Sequence, residues 1–523
     1  MIEPATDRLW RRAQNYLAAG QVEAGRAALE ALLARDPANI HAHLILGGIA
    51  WKEDRMRDAV RHALDAARVV PEDDGFALLT VITGLQHVGE FAVARELLRR
   101  PFFARTTDAE TLAQAAPLGH LLDDHPTSLD LYDRARAAGV DELNFCVDRA
   151  TELSFNGRVQ EAEAEFERCV ARSTTVGRVY VELAAMRRQT PEHNHVALLE
   201  RRAAFAPPGS MDKAAIEFAR YKELEDLGRH DQAWDALARG NALMAARTHY
   251  DAAREERLHD GLRRAFAPAT PAGDIAREGP VPIFVLGMTR SGTTLLDRIL
   301  GNHSLVESAG ELGDFARQLR HVAGRCTQEM LDERLLERLS ALDYAEVGAR
   351  FLAQTRWRAN GQPFFVDKMP LNWLLAGPIA RALPQARILH LVRDPMDVCF
   401  SNLRAFFGES HGWSYEQGRL AHYYGQYRRM MDHWHAVMPG RILDVGYAEL
   451  VREPETTVRR VFAFCGLDYE DGCLDLSRNT TAIATLSKTQ VRGGIHARAF
   501  EEWRPYEANL AELRAAVAGP DGA

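Results

Sequence analysis

The sequence predicts an α-solenoid of helix pairs followed by an α/β domain with a mostly parallel sheet, and three observations carry that expectation. Side-chain character repeats at a period of 34 through the first half, Gly recurs there at matched turn positions, and beyond Pro268 short apolar runs alternate with amphipathic segments. At 523 residues the chain is too long for one ordinary core. Its 46% hydrophobic and 26% charged residues exclude wholesale disorder. The 64 basic and 73 acidic residues leave a net charge of −9, so overall charge offers no support for nucleic-acid binding.

At the 34-residue period Ala13 aligns with Gly47, Tyr16 with Ala50, Leu29 with Ala63 and Leu97, and Pro37 with Pro71. A second register mark is Gly followed five residues later by a small residue: Gly20/Gly25, Gly89/Ala94, Gly157/Ala162 and Gly228/Ala233. The Gly is expected in the turn between paired helices, and the small residue where the second helix approaches the first. Leu29, Leu97, Phe166 and Leu237 would fill the groove between repeats. Residues 6–250 therefore resemble tetratricopeptide repeats, roughly six or seven units, with the register slipping at 105–140 and 172–210. Such an array implies a groove for a protein or peptide partner; a structural or dimerising appendage is the competing reading.

Helical periodicity stops where Pro and Gly crowd between Pro268 and Pro282. The expected organisation is a solenoid over 1–267, a linker over 268–282 and a second domain over 283–523. There "PIFVLG", "PFFVD", "RILHLV" and "RILDVGY" read as strands, alternating with helical segments such as "PLNWLLAGPIARAL". "PIFVLGMTRSGTTLLDRIL" reads as a buried strand, a turn from Gly287 to Thr294, and a helix beginning near Thr293. Two glycines, hydroxyl donors and a helix N-terminus suit an anion. Thr293 stands where the nucleotide-triphosphate loop has its lysine, which disfavours a triphosphate; the spacing alone is a weak signal.

The wording Arg290-Ser291-Gly292-Thr293-Thr294 at a strand-to-helix junction resembles the 5′-phosphosulfate loop of sulfotransferases that use 3′-phosphoadenosine 5′-phosphosulfate (PAPS). "ILHLVRDPMDVCFSN" looks like the 3′-phosphate motif of that family, with Arg393 at a strand end and Ser401 about two helical turns on. "FFVDKMPLNW" and "TLSKTQVRGGIHARAFEEWRPYEANL" look like segments of the tyrosylprotein-sulfotransferase-like branch, and the resemblance covers roughly 280–515. It implies a P-loop-like fold and PAPS as cosubstrate, with Arg290, Ser291, Gly292, Thr293, Thr294, Arg393, Ser401, Tyr447, Gln490 and Arg492 as cofactor contacts. It implies Glu311, Arg290, Lys368 and Ser487 as catalytic residues. His303 and Glu307 compete with Glu311 as base, and an ion pair with Asp367 is the structural alternative for Lys368. Glu409, His411 and Trp413 lie in a loop where an acceptor could approach.

Sulfonyl transfer needs charge cover that two protein cations can supply, so no metal is expected. The six cysteines show no C-x-x-C pair, which points to neither zinc nor disulfides. No secretory signal pattern opens the chain, and the apolar stretch "LILGGIAW" is far short of the roughly 20 residues of a membrane span, so a cytoplasmic protein is expected. The acceptor is expected to carry a hydroxyl, on a protein tyrosine, a glycan or a small molecule. Two other readings stay open: a P-loop nucleotide kinase or phosphotransferase, and a non-catalytic tetratricopeptide scaffold.

Overall fold

The structure, a computed structural model, describes residues 5–172, 176–266, 279–478 and 500–517. From Ala5 to Ala265 every regular element described is helical. The helices pair as the glycine spacing predicts. Gly20, Gly89, Gly157 and Gly228 take φ of +74°, +84°, +83° and +71°. They join Ala5–Ala18 to Val22–Leu33, Gly75–Val88 to Phe91–Leu98, Leu143–Phe155 to Val159–Arg172, and Met211–Asp226 to His230–Arg247. Left-handed backbone at these turns is open to Gly at little cost. Five residues later the small side chains sit in the helix crossing: a Cβ on Gly25 would lie 2.6 Å from Leu17 Cδ2, and Ala94, Ala162 and Ala233 are fully buried. Leu29, Leu97, Phe166 and Leu237 are all buried in the grooves.

By spatial contact the chain divides into two compact units. One comprises 1–141 and 313–357, the other 142–312 and 358–523. The first contains an excursion from the C-terminal half: helices Asp314–Ala323 and Tyr344–Thr355 join the early repeats. Polar contacts hold it there. Arg325 pairs with Asp54 and with Asp332, the Cys326 N–H donates to Asp54 Oδ1 over 2.7 Å, and the Gln354 amide donates to Glu90 Oε2 over 2.6 Å. The period of 34 gives no hint of this excursion, because it lies far along the chain from the repeats it joins.

The second unit holds the later repeats and a five-stranded sheet of β1 (Val281–Gly287), β2 (Val306–Ser308), β3 (Phe364–Asp367), β4 (Arg387–Val392) and β5 (Ile442–Gly446). Every pairing is parallel, in the order β2-β3-β1-β4-β5. Among the described residues the expected mostly parallel sheet is thus wholly parallel, and the near-continuous buried run of β1 is that of a strand covered on both faces. β1 is central, and the chain leaves it for opposite sides through β3 and β4, which opens a crevice at the strands' C-terminal ends. Gly287 lies opposite Leu391, so the turn after β1 and the end of β4 reach the same level. Leu295, Leu296, Ile299 and Leu300 of helix Thr293–Leu300 pack with Ile283, Val285 and Leu389 in the core beneath. On the helix Gln417–Val437, the buried Trp434 donates its indole N–H to the Trp373 carbonyl over 2.8 Å.

Phe166 has no exposed surface between its paired helices. Phe166→Ala is expected to cost about 3–5 kcal/mol, read as an earlier urea midpoint for the transition of the second unit.

Candidate active site

The turn after β1 is built so that its side chains and backbone donors share one concavity. Gly292 takes φ +104° and caps helix Thr293–Leu300 without a side-chain acceptor, leaving the first helical N–H groups uncapped. A Cβ at Gly292 would come within 2.6 Å of the Tyr447 ring, so this position needs Gly for space as well as for conformation. Arg290 holds φ +69°, a left-handed conformation unusual for a long side chain. Thr293 and Thr294 are buried. The hydroxyl oxygens of Ser291 and Thr289 are buried with no hydrogen-bond partner among the described residues.

The end of β4 meets this turn. Arg393 Nη1 donates to the Arg290 carbonyl oxygen over 3.0 Å, and Arg290 Nε lies 3.4 Å from Ser401 Oγ. The Arg393 guanidinium also covers the Tyr447 ring at 4.9 Å. The Arg-Asp-Pro sequence divides its labour. Asp394 caps helix Pro395–Leu403 by accepting from the Met396 and Asp397 N–H groups, with Pro395 in the first helical position, while Arg393 reaches back to the turn. Arg290, Ser291, Gly292, Thr293, Thr294, Arg393, Ser401 and Tyr447 therefore come together at one sheet edge. Ser487, Gln490 and Arg492 lie outside the described residues.

Cations crowd this edge. Burial, and then the neighbouring Arg404 and Arg393, push the Arg290 guanidinium down to about 10. Burial also lowers Arg393. Arranged this way, the guanidiniums favour a bound anion, which would offset both the desolvation and their mutual repulsion.

On the other side of β1, Lys368 at the end of β3 is almost fully buried and its Nζ pairs with Glu311 Oε1. Asp367 is not its partner: the Asp367 carboxylate accepts from the Leu312 N–H and the Asn372 amide, each over 3.3 Å. The Glu311 side chain keeps 36% of its surface exposed. His303 is placed differently. Its Nδ1 accepts from the Leu305 N–H over 3.1 Å and its Nε2 lies 2.9 Å from the Asp468 carbonyl oxygen, so both ring nitrogens serve the local fold. Glu307, on β2, is half-buried, raised by that burial, and hydrogen-bonded to Asn360.

The loop after helix Pro395–Leu403 is largely engaged in packing. Trp413 stacks on Tyr423 with centroids 4.2 Å apart, His411 stacks on Phe407 at 4.4 Å, and Glu409 pairs with Arg247 over 2.9 Å.

Two supporting residues escape sequence reasoning. Asn402 donates to the Thr289 carbonyl over 2.7 Å and to that of Val398 over 2.8 Å, clamping the turn to the helix that carries Ser401. Its place directly after Ser401 was the available signal. Arg404 is nearly buried and pairs with Glu225, at 3.2 Å, and with Glu502. Glu225 belongs to the repeat helix Met211–Asp226 and also accepts from the Tyr221 hydroxyl over 2.6 Å. No spacing in the chain links these positions. Arg404→Met would leave two carboxylates without their counter-charge, and a loss of about 3 kcal/mol is expected by chemical denaturation.

Comparison with known proteins gives the C-terminal half a family resemblance. Residues 282–471 match the model of the sulfotransferase family, so the C-terminal half carries a sulfotransferase-family domain. A protein of Aquifex aeolicus is 33% identical over 316 residues, covering 57% of this chain; the chain spans only 40% of that relative's length. A putative protein-tyrosine sulfotransferase of Caenorhabditis briggsae is 26% identical over 229 residues, covering 42% of this chain and 80% of its own. Among solved structures, the sulfotransferase domain of the Synechococcus olefin synthase aligns with 23% identity and a TM-score of 0.31, covering 45% of this chain and 90% of that one. Among the described residues, no helix is long and apolar enough to cross a membrane.

Proposed function

We propose that the chain is a PAPS-dependent sulfotransferase that moves a sulfonate onto an acceptor hydroxyl. The observation that carries this reading is the hydrogen bond from Arg393 to the Arg290 carbonyl, which joins two anion-binding elements in one crevice. The donor set fits the cosubstrate. Buried, unpartnered Ser291 and Thr289 hydroxyls, uncapped helix N–H groups and two guanidiniums offer hydrogen-bond donors and positive charge. When bound, PAPS supplies a sulfonyl group attached to a phosphate leaving group.

The chain's residues then divide into three tasks. Ser291, Gly292, Thr293 and Thr294 with Arg290 hold the 5′-phosphate end. Arg393 and Ser401 recognise the 3′-phosphate, the group that separates this donor from ATP-like ones, and Tyr447 lines that end. Arg290 and Lys368 cover the negative charge that develops on transfer, a stabilisation that acts without reorganisation because both cations are already in place. Glu311 is the base: one carboxylate oxygen contacts Lys368, and the side chain is open enough to receive a hydroxyl proton at the other. Ser487, Gln490 and Arg492 complete the site on the strength of the family resemblance. The transfer is proposed to run on protein cations without a metal.

For the acceptor we favour a protein tyrosine, in keeping with the putative activity of the Caenorhabditis briggsae relative. The tetratricopeptide-like array would recruit the acceptor or a partner through its groove. A cytoplasmic setting is part of the proposal.

Calorimetry with adenosine 3′,5′-bisphosphate, AMP and ATP tests the donor site. The bisphosphate is expected to bind far more tightly than the other two, and Arg393→Ala to remove most of the difference; equal affinities would overturn the reading. A second measurement addresses the base. Glu311→Gln should slow transfer by about 10²–10⁴-fold while the affinity for the bisphosphate stays within a few-fold, whereas normal turnover would exclude Glu311.

A further inference from the structure

The sheet edge opposite β2 gathers a set of side chains that the transfer chemistry does not use. His390 on β4 and Asp444 on β5 are direct cross-strand neighbours. His435, in the last turn of helix Gln417–Val437, reaches the same carboxylate. His390 Nδ1 lies 2.8 Å and His435 Nε2 3.0 Å from Asp444 Oδ1, and the three atoms all fall within 4.8 Å of one another. His390 lies 45 residues before His435 and 54 before Asp444 in the chain, which is why spacing gave no metal signal.

We propose that His390, His435 and Asp444 form a Zn²⁺ site that pins the end of helix Gln417–Val437 to the β4–β5 edge. Two imidazole nitrogens and one carboxylate oxygen are the borderline donor set that zinc accepts, and a tetrahedral ion with bonds of about 2.0–2.1 Å needs its ligand atoms about 3.3 Å apart. At the two contacts to Asp444, of 2.8 and 3.0 Å, that asks for shifts of only a few tenths of an ångström. Asp444 and His435 are 52% and 35% exposed, so a water can take the fourth position and the ion can enter from solvent.

The outer contacts are those that a metal-bound histidine requires. Ligation through Nδ1 puts the His390 proton on Nε2, and Nε2 lies 2.5 Å from the Tyr427 hydroxyl, which can accept it. Tyr427 is buried on the same helix as His435, and its oxygen also accepts from the Met288 N–H at the start of the anion-binding turn. An ion at the edge would thus fix the tautomer of His390 and brace Tyr427 against that turn. Another group of this kind, His43 and His62 with Asp65, is less suited, because Arg61 stands 3.4 Å from His62 Nε2 and would repel a cation.

The test uses the full chain, stripped with chelator and titrated calorimetrically with Zn²⁺, and separately with Co²⁺ as a spectroscopic probe. One site per chain is expected, with the visible absorption of four-coordinate Co²⁺ and a higher thermal midpoint when Zn²⁺ is bound. His435→Ala and Asp444→Asn change side chains that reach solvent, so both variants should still fold cooperatively without metal, at midpoints lowered only by the lost contacts to Asp444. Each is expected to weaken this site by more than the roughly 10–100-fold that Tyr427→Phe, the loss of an outer partner, should cost. Absence of Zn²⁺ binding, or unchanged stoichiometry and affinity in both His435→Ala and Asp444→Asn, would overturn the proposal. Neither result depends on the donor, so the sulfotransferase reading stands or falls separately.

Discussion

A single hydrogen bond, from the Arg393 guanidinium to the Arg290 carbonyl oxygen, ties the turn after β1 to the end of β4. Its possibility is set by strand register. With Gly287 opposite Leu391, both chains leave the sheet at one level, and a one-residue slip would carry Arg393 out of reach. Asn402 fixes the preceding carbonyl, that of Thr289, so two consecutive peptide planes of the turn are held by side chains from the β4 side. That restraint accounts for the left-handed Arg290. Such a conformation costs on the order of 1–3 kcal/mol and persists where neighbours over-determine it.

The crevice also depends on the later repeats. Within the second unit, helix Met211–Asp226 supplies Glu225 to Arg404, and Arg404 stands beside Arg290. Tyr506 packs against Tyr221, Trp234 and Phe400, the last on the helix that carries Ser401. Removing those repeats would strip a buried guanidinium of a carboxylate and expose an aromatic cluster. The repeats of this unit are therefore part of the support for the crevice between the turn after β1 and the end of β4. Recruitment and support are compatible, because the contacts to Arg404 use one face of one helix.

What the sequence makes legible follows from how local each signal is. Turn glycines, small residues at helix crossings and the strand-turn-helix of the anion loop are fixed by a few neighbouring residues, and the structure places them as the spacing implies. Arg290, Arg393 and Ser401 were legible because two short motifs each carry an intact local geometry. Contacts between distant segments were not. Nothing along the chain connects Arg404 to Glu225, Asp54 to Arg325 or His390 to Asp444, since each pair is made by topology. The pairing of Lys368 shows the same limit. Adjacent in sequence, Asp367 is the obvious partner, yet successive strand residues point to opposite faces, and Glu311 from the β2–β3 connection takes the contact.

That pair bears on how the site handles charge. The nucleotide-triphosphate loop places a lysine at the start of its helix; here Thr293 stands there, and the nearby cations are Arg290 inside the turn and Lys368 at the end of β3. A guanidinium offers several donors in a plane, which suits oxygens spread over a phosphosulfate better than a point charge does. Lys368 is buried and its partner is not, an asymmetry with a consequence. A desolvated ammonium cannot give up one negative neighbour at reasonable cost unless another replaces it. On the proposed reading, a bound anion becomes a second negative neighbour while Glu311 keeps one oxygen on Lys368. The ammonium would then stay neutralised throughout, and the exposed part of the carboxylate is where an acceptor proton would go.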